Sequence, residues 1–269
     1  MIKPIYKLRS WINIQDLDWD ILSNNPNAIQ LLERNFHRID WFHLSSNPNA
    51  IQLLESNQDK IIWDQICDNP NAMNIIKNNL DKIYINHLSA NPSAIKLLEE
   101  NQDKINWKEL SSNTNPNVIQ FLENNIDKID WKYLSRNPNA IKLLEHNLDK
   151  IDWIYLSKNP NAIHILKNNL NKINWKFLCK NPNAIQLLEN NQDKIYWQWL
   201  SMNPNAIDLL EHNKDKIDWY YLSDNPSIFI LDTNAMKIQI KDFAEDLAKT
   251  CFHPHRVKRY LEKYDYEFE

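Results

Sequence analysis

Glycine is missing altogether from these 269 residues, although average usage of about 7% would supply roughly nineteen. A chain without glycine cannot build a Gly-rich phosphate loop. It must also end its helices with some other residue, and asparagine is the next one able to take a left-handed backbone. Cysteine is scarce. Cys67, Cys179 and Cys251 show no metal-ligand spacing, and the first two hold equivalent places five repeats apart. With repeats stacked at about 10 Å, the spacing of packed helices, those two sulfurs are too distant for a disulfide.

Long apolar runs are lacking too. None approaches the ~20 residues of a membrane span, and Met1-Ile-Lys-Pro-Ile-Tyr-Lys-Leu-Arg9 contains no signal-peptide core. The Asn-Pro-Ser sites at Asn91 and Asn225 are blocked as glycosylation acceptors by their prolines. A net charge of −4 gives no global attraction to nucleic acid. No His-Glu-x-x-His pattern occurs, and single Ser and His residues recur by repetition without converging. The expectation is an intracellular soluble protein without cofactor, metal or catalytic centre, and without a membrane or nucleic-acid partner.

What the chain does have is a beat. Pro26, Pro48, Pro70 and Pro92, then Pro116, Pro138, Pro160, Pro182, Pro204 and Pro226, recur every 22 residues, with one step of 24 between Pro92 and Pro116. A fixed period in this range marks a stacked repeat architecture. Full units start at Trp19, Trp41, Trp63, Ile85, Trp107, Trp131, Trp153, Trp175 and Trp197, and a degenerate tenth starts at Trp219.

The unit from Trp41 to Ile62 shows the physics. Asp40, before the apolar pair Trp41 and Leu44, reads as an N-cap and opens a short first helix. Asn47-Pro48 opens a second, because proline at the first helical position loses no hydrogen bond. Ala50, Ile51, Leu53 and Leu54 give it one apolar stripe. Asn57 is expected to close it in the left-handed conformation, and Gln58-Asp59-Lys60 turns the chain so that Ile61 re-enters the core. The Asp-Lys pairs of these turns read as solvated charges. A leucine-rich repeat shares the period but needs Leu-x-Leu alternation, whereas Trp-x-x-Leu and Ala-Ile-x-Leu-Leu are helical patterns. One unit cannot fold alone. About seven buried apolar side chains give roughly 10–20 kcal/mol, against about 30 kcal/mol for ordering the backbone and side chains. Stability therefore resides between units.

The expected fold is an all-α solenoid, right- or left-handed, of about ten helix–turn–helix repeats. Residues 1–18 are an N-terminal cap, with Trp11, Ile14 and Leu17 over the open end of the first unit. Residues 19–236 form the α-solenoid, and 237–269 form a C-terminal helical cap with apolar stripes at Phe243, Leu247 and Cys251 and at Val257, Tyr260, Leu261 and Tyr264. The two extra residues in Ser111-Ser-Asn-Thr-Asn-Pro116 fall between helices and should bulge at one edge without breaking the stack.

Units of the form Trp-x-x-Leu-Ser-x-Asn-Pro-Asn-Ala-Ile-x-Leu-Leu-Glu-x-Asn-x-Asp-Lys-Ile-Asp resemble the short repeats abundant in proteins of giant DNA viruses of protists. Asn225-Pro-Ser-Ile-Phe229 and Phe252-His-Pro-His-Arg-Val-Lys-Arg-Tyr260 resemble the ends of those proteins. The resemblance implies a viral, multi-copy family without an established activity, and it transfers no functional residues. The abundance of Asn, Ile and Lys reads as AT-rich coding, which agrees with such a source.

The positions that break the repeat carry what functional signal there is. The third residue of each unit reads Ile21, His43, Gln65, His87, Glu109, then Tyr133, Tyr155, Phe177, Trp199 and Tyr221. It lies about 130° from the midpoint of the Trp/Leu stripe, at the edge of the core. Stacking would align the five aromatics into a ladder. They either pack adjacent short helices together or form a partner-binding strip, since Tyr and Trp are favoured at interfaces. Cys251, His253 and His255 lack a fourth metal ligand and read as a helix start at Pro254; the basic run His255-Arg-Val-Lys-Arg259 reads as a solvated helix face. The function expected from these features is a non-enzymatic scaffold for a host or viral protein partner, acting in the host cytoplasm. The alternative is a spacer or cement component of the virion.

Overall fold

The computed structural model describes residues 4–251 with His253, His255, Arg256 and Arg259, apart from the side chains of Asp242, Phe243, Asp246, Leu247 and Cys251. They form two compact units, Ser10–Ile228 and a second drawn from Met1–Arg9 and Phe229–Glu269.

Ser10–Ile228 is the all-α repeat solenoid. In a typical unit the first helix is Trp41–Ser46, the second is Ile51–Ser56, and a 3-10 turn follows at Gln58–Lys60. Asp40 caps the first helix as expected, its carboxylate accepting the N–H of His43 at 2.8 Å. Asp18, Asn106, Asp130, Asp152, Asn174 and Asp218 do the same in their units. One leucine or isoleucine per helix makes two continuous buried rows, Leu44 with Ile66 and Leu88 in one and Leu54 with Ile76 and Leu98 in the other.

The second helix starts later than the sequence suggests. Asn47 Oδ1 accepts the N–H of Asn49 at 3.0 Å, so Pro48-Asn49-Ala50 forms a tight turn and the α-helix begins at Ile51. Its end differs as well. Asn57 sits at φ −139°, ψ 51°, outside the left-handed region. It closes the helix with its side chain, Nδ2 donating to the Leu53 carbonyl at 2.8 Å. The amide reaches the unpaired carbonyls of the last turn directly, so no positive φ is needed and glycine is not missed.

Successive units are tied by a repeated set of hydrogen bonds. The Ser23 hydroxyl donates to the Trp19 carbonyl at 2.9 Å and accepts the N–H of Asp40 in the next unit at 3.0 Å. Asn47 Nδ2 donates to two main-chain oxygens of the preceding unit, Ser23 at 2.9 Å and Asn25 at 3.0 Å. Asn49 Nδ2 donates to the Pro26 carbonyl at 2.9 Å. The ladder asparagines and their serines are almost wholly buried, so these bonds satisfy carbonyls that water cannot reach.

The same bonds join the last unit to the first. The Asp18 N–H donates to Ser223 Oγ at 2.8 Å, Asn25 Nδ2 donates to the Ser223 and Asn225 carbonyls at 3.0 Å each, and Asn27 Nδ2 donates to the Pro226 carbonyl at 3.0 Å. Unit one therefore stacks on unit ten as unit two stacks on unit one, and the solenoid closes into a ring. Each unit turns the chain by about 36° on average, a tenth of a circle.

Closure corrects the expectation of an open end under Trp11, Ile14 and Leu17. Leu17 is buried, and Trp11 packs on Trp219 of the tenth unit with centroids 6.5 Å apart. In most other units the tryptophan is covered by the basic residue of its own 3-10 turn, such as Lys60 over Trp41 at 4.8 Å or Lys150 over Trp131 at 4.3 Å. The tenth unit lacks that turn, and Trp11 takes its place. The turn lysines are thus cation–π partners of the core rim, a role beyond the solvated charge read from sequence.

The long unit keeps the ring in register by placing its ladder asparagine two residues early. Asn113, not Asn115, donates to the Ser89 and Asn91 carbonyls at 2.9 and 3.0 Å, and Asn115 takes the following place by donating to Pro92 at 2.6 Å. The insertion falls after the ladder, so the stack is unbroken.

In the second unit Tyr6–Leu8 pairs antiparallel with Phe229–Leu231, Lys7 opposite Ile230, and Asp232 bonds Lys7 at 3.5 Å. One helix, Thr233–Cys251, follows. The second expected stripe, Val257, Tyr260, Leu261 and Tyr264, lies outside the described residues. No helix among the described residues is long and apolar enough to cross a membrane.

Candidate functional site at the inner wall

In a closed ring the spacing between equivalent points grows with distance from the axis. Consecutive first helices pack on one another, as do consecutive Pro-Asn-Ala turns, while consecutive second helices stand further apart. The first helices and the asparagine ladder therefore face the axis, and the second helices form the outside. A residue on the inward side of a first helix belongs to the inner wall.

The third-position aromatics lie there. Tyr133, Tyr155, Phe177, Trp199 and Tyr221 stack in order, with centroids 5.6, 6.2, 6.2 and 5.7 Å apart. A spacing near 6 Å around ten units puts the rings about 10 Å from the axis. All five are half-buried. The ladder expected from the sequence thus forms, and each inner ring has both faces covered by its neighbours. Their edges, not their faces, are left to meet a ligand.

The sixth residue of each unit joins this wall one helical turn on. Its side chains touch around the ring: Ser46 Oγ donates to Asn24 Oδ1 at 3.1 Å, Asn24 Nδ2 to Asp224 Oδ1 at 2.8 Å, and Arg136 Nη2 to Ser112 Oγ at 2.8 Å. Charges divide into arcs. Arg136, Lys158 and Lys180 hold the sixth position in three successive units. Asp68, Glu109 and Asp224 lie to either side. Lysines at the second position add to the basic arc, Lys108 over Tyr133 at 4.7 Å, Lys132 over Tyr155 at 5.2 Å and Lys176 over Trp199 at 4.9 Å.

Lys158 keeps contact with solvent, yet burial lowers its pKa, and the neighbouring Arg136 charge lowers it further. A group both accessible and desolvated belongs to a concave surface, because surrounding protein displaces water without sealing the group off. Lys180 is pushed down to about 8 by burial and then by Lys158, with Lys176 acting the same way and Asp224 against it. Its ammonium sits 3.4 Å from the Trp199 ring centre. On the acidic arc, burial and the charge of Glu109 raise Asp68. Perturbed groups of both signs on one wall are the pattern of a functional surface.

Other candidates stand apart from this wall. Cys67 and Cys179 are free and buried at the position of the bridging serine, and Cys179 Sγ accepts the Tyr196 N–H at 3.3 Å. Closure sets them five units apart on opposite sides of the ring. No three His, Cys, Asp or Glu side chains converge among the described residues; the side chain of Cys251 is not among them. Lys249, His253, His255, Arg256 and Arg259 line a shallow basic hollow. Ile126, Leu148 and Leu170, at one place in three successive units, are each about half exposed. The inner wall was hidden from sequence reading because it exists only once the ring closes; the run Arg136, Lys158, Lys180 was its visible trace. Comparison with protein-family models, with curated proteins and with solved structures finds no match to this chain.

Proposed function

We propose that this chain is a non-enzymatic scaffold that binds a protein partner at the inner wall of its ring. One observation carries the proposal: the paired bonds of the buried asparagines recur at all ten interfaces, while the aromatic and basic side chains gather on one arc, from Lys108 to Tyr221. Folding of the repeat does not require that asymmetry. With rings about 10 Å from the axis, the interior suits an extended segment of a partner, since even a 100-residue domain has a radius of gyration of about 13 Å. Lysines around aromatic edges, whose rims carry positive charge, favour an acidic segment. Tyr133, Tyr155, Phe177, Trp199 and Tyr221 are the proposed partner-binding residues through those edges.

Resemblance of the repeat to those of giant DNA viruses supports a setting in an infected cell, with a host or viral partner. The virion-spacer reading fits less well, because a closed ring has no free stack end from which a rod would grow. Affinity purification of the tagged chain from infected cells tests the proposal. One protein enriched by the wild type and lost with the exposed pair Lys132→Glu and Lys176→Glu supports it. Identical recovery with both chains, or recovery from purified particles alone, overturns it.

A further inference from the structure

We infer that Arg136, Lys158 and Lys180 build a site for a phosphate group on the inner wall of the ring. The inference rests on the reading of that wall as the binding surface and specifies the chemistry it takes.

The three cations hold the same place in three successive units, on a wall whose equivalent points lie near 6 Å apart. Side chains at this position reach their neighbours, as the 2.8 Å bond from Arg136 to Ser112 shows. Little negative charge answers them. Glu109 meets Arg136 at 3.4 Å, and Asp224, at the far end of the arc, accepts a hydrogen bond from Asn24 at 2.8 Å. Among the described residues no carboxylate stands within ion-pair distance of Lys158 or Lys180. A partly desolvated row of like charges disfavours its own ionised state, and an anion entering between them removes that penalty.

The wall also selects which anion. A nucleobase would need an open aromatic face to stack on, and beside the three cations the faces are taken: Tyr155, Phe177 and Trp199 each lie between two rings, and Tyr133 is covered by Tyr155 on one side, with Lys108 and Arg136 also over its ring. What remains is ammonium and guanidinium N–H groups around positive ring edges. A carboxylate offers two oxygens to three cations. A phosphate group offers three or four with up to two charges, and the Arg136 fork can bind two of them together.

Isothermal titration at constant ionic strength, with the intact chain and inorganic pyrophosphate as probe, tests this. Saturable binding at one site per chain is expected, weakened at least tenfold in Lys158→Gln and unchanged in Lys142→Gln, an exposed lysine of the preceding unit. Lys158→Gln removes charge from a crowded row, so its melting temperature without ligand should not fall. Two further probes separate the sources: binding of both inorganic phosphate and O-phosphoserine supports a site open to phosphate esters, and binding of phosphate alone supports a site for the free ion. Absence of binding, equal affinity for sulfate, or equal affinity in Lys158→Gln overturns the inference. If purification then loses its partner in the Lys132 and Lys176 double variant while pyrophosphate fails to bind, the phosphate site alone falls. If pyrophosphate binds and no partner is lost, the scaffold reading falls instead.

Discussion

Asn25 donates its side-chain amide to the main-chain oxygen of Asn225 at 3.0 Å, across 200 residues of chain. That is the bond Asn47 makes to Asn25 at 3.0 Å, 22 residues back. Open solenoids need terminal repeats with polar outer faces. Here the first and last units are each other's cover.

Asn25→Asp should therefore open the ring and leave the other interfaces intact. The carboxylate cannot donate, and it would face the Ser223 and Asn225 carbonyls, an unpaired buried charge against two dipoles. Small-angle scattering should give a larger radius of gyration than the wild type, and tryptophan emission should shift to the red as Trp11 and Trp219 separate. An unchanged radius with normal helix content would mean that the remaining closure bonds suffice.

Inside the ring, Asn159→Ala strips the donors from the Ser135 and Asn137 carbonyls, now bonded at 3.0 and 2.9 Å. The buried Ser135 carbonyl loses its donor, whereas the Asn137 carbonyl keeps the Ala140 N–H at 3.2 Å, so the cost is about 1–3 kcal/mol. Urea unfolding should show that loss in the midpoint with little change in slope. Asn161→Ala removes one exposed bond to Pro138 and should cost about 1 kcal/mol or less.

These two asparagines also mark how far the sequence could be read. Their period, the helix pattern between them and the aromatic ladder in register were all legible, because stacking carries each position onto its own copy. The N-cap of Asp40 was legible because its partner, His43, is local. The ladder role of Asn47 was not: it reads as a helix start, and its second job needs carbonyls 22 and 24 residues away. Closure was less legible still. It depends on the difference in spacing between the inner and outer helices, summed over ten units, and no single unit spells that out.

Replacing Tyr155 and Trp199 by leucine together removes the stacking contacts with Tyr133, Phe177 and Tyr221. Aromatic pairs are worth about 0.5–1.5 kcal/mol each beyond burial. The melting temperature should fall by about 5–10 °C in a ring of this size. A thermally silent double variant would assign the ladder to binding alone.

Lys180 should titrate at about 8, measurable from the pH dependence of its side-chain carbon shifts. Lys158, Lys176, Asp224 and the Trp199 ring are the groups facing it. Lys158→Gln removes a neighbouring positive charge and should raise that pKa. Between about 8 and the unfolded value of 10.5, the unfolded chain binds more protons than the folded one at this site. This lysine therefore makes stability rise with pH across that window, the opposite of what an ion-paired lysine does. Phosphate affinity should fall over the same range as the charge is lost.

Cys67 should resist thiol reagents in the native ring. Burial, and then the charges of Asp68 and Asp64, push its pKa up to about 12, so almost no thiolate exists at neutral pH. The Cys67 thiol also donates to the Trp63 carbonyl at 3.3 Å. Burial raises Cys179 as well, only partly offset by the N–H of Tyr196. Iodoacetamide at pH 8 followed by peptide mass mapping should find both unlabelled, with full labelling in denaturant. Because each stands where a bridging serine stands elsewhere, Cys179→Ser should label no more readily at Cys67. It should also strengthen the bond to Tyr196, since a hydroxyl accepts an N–H better than sulfur does. Labelling of Cys67 at a rate set by ring opening, and accelerated in Asn25→Asp, would show that the closure of unit one on unit ten protects a thiol two units away.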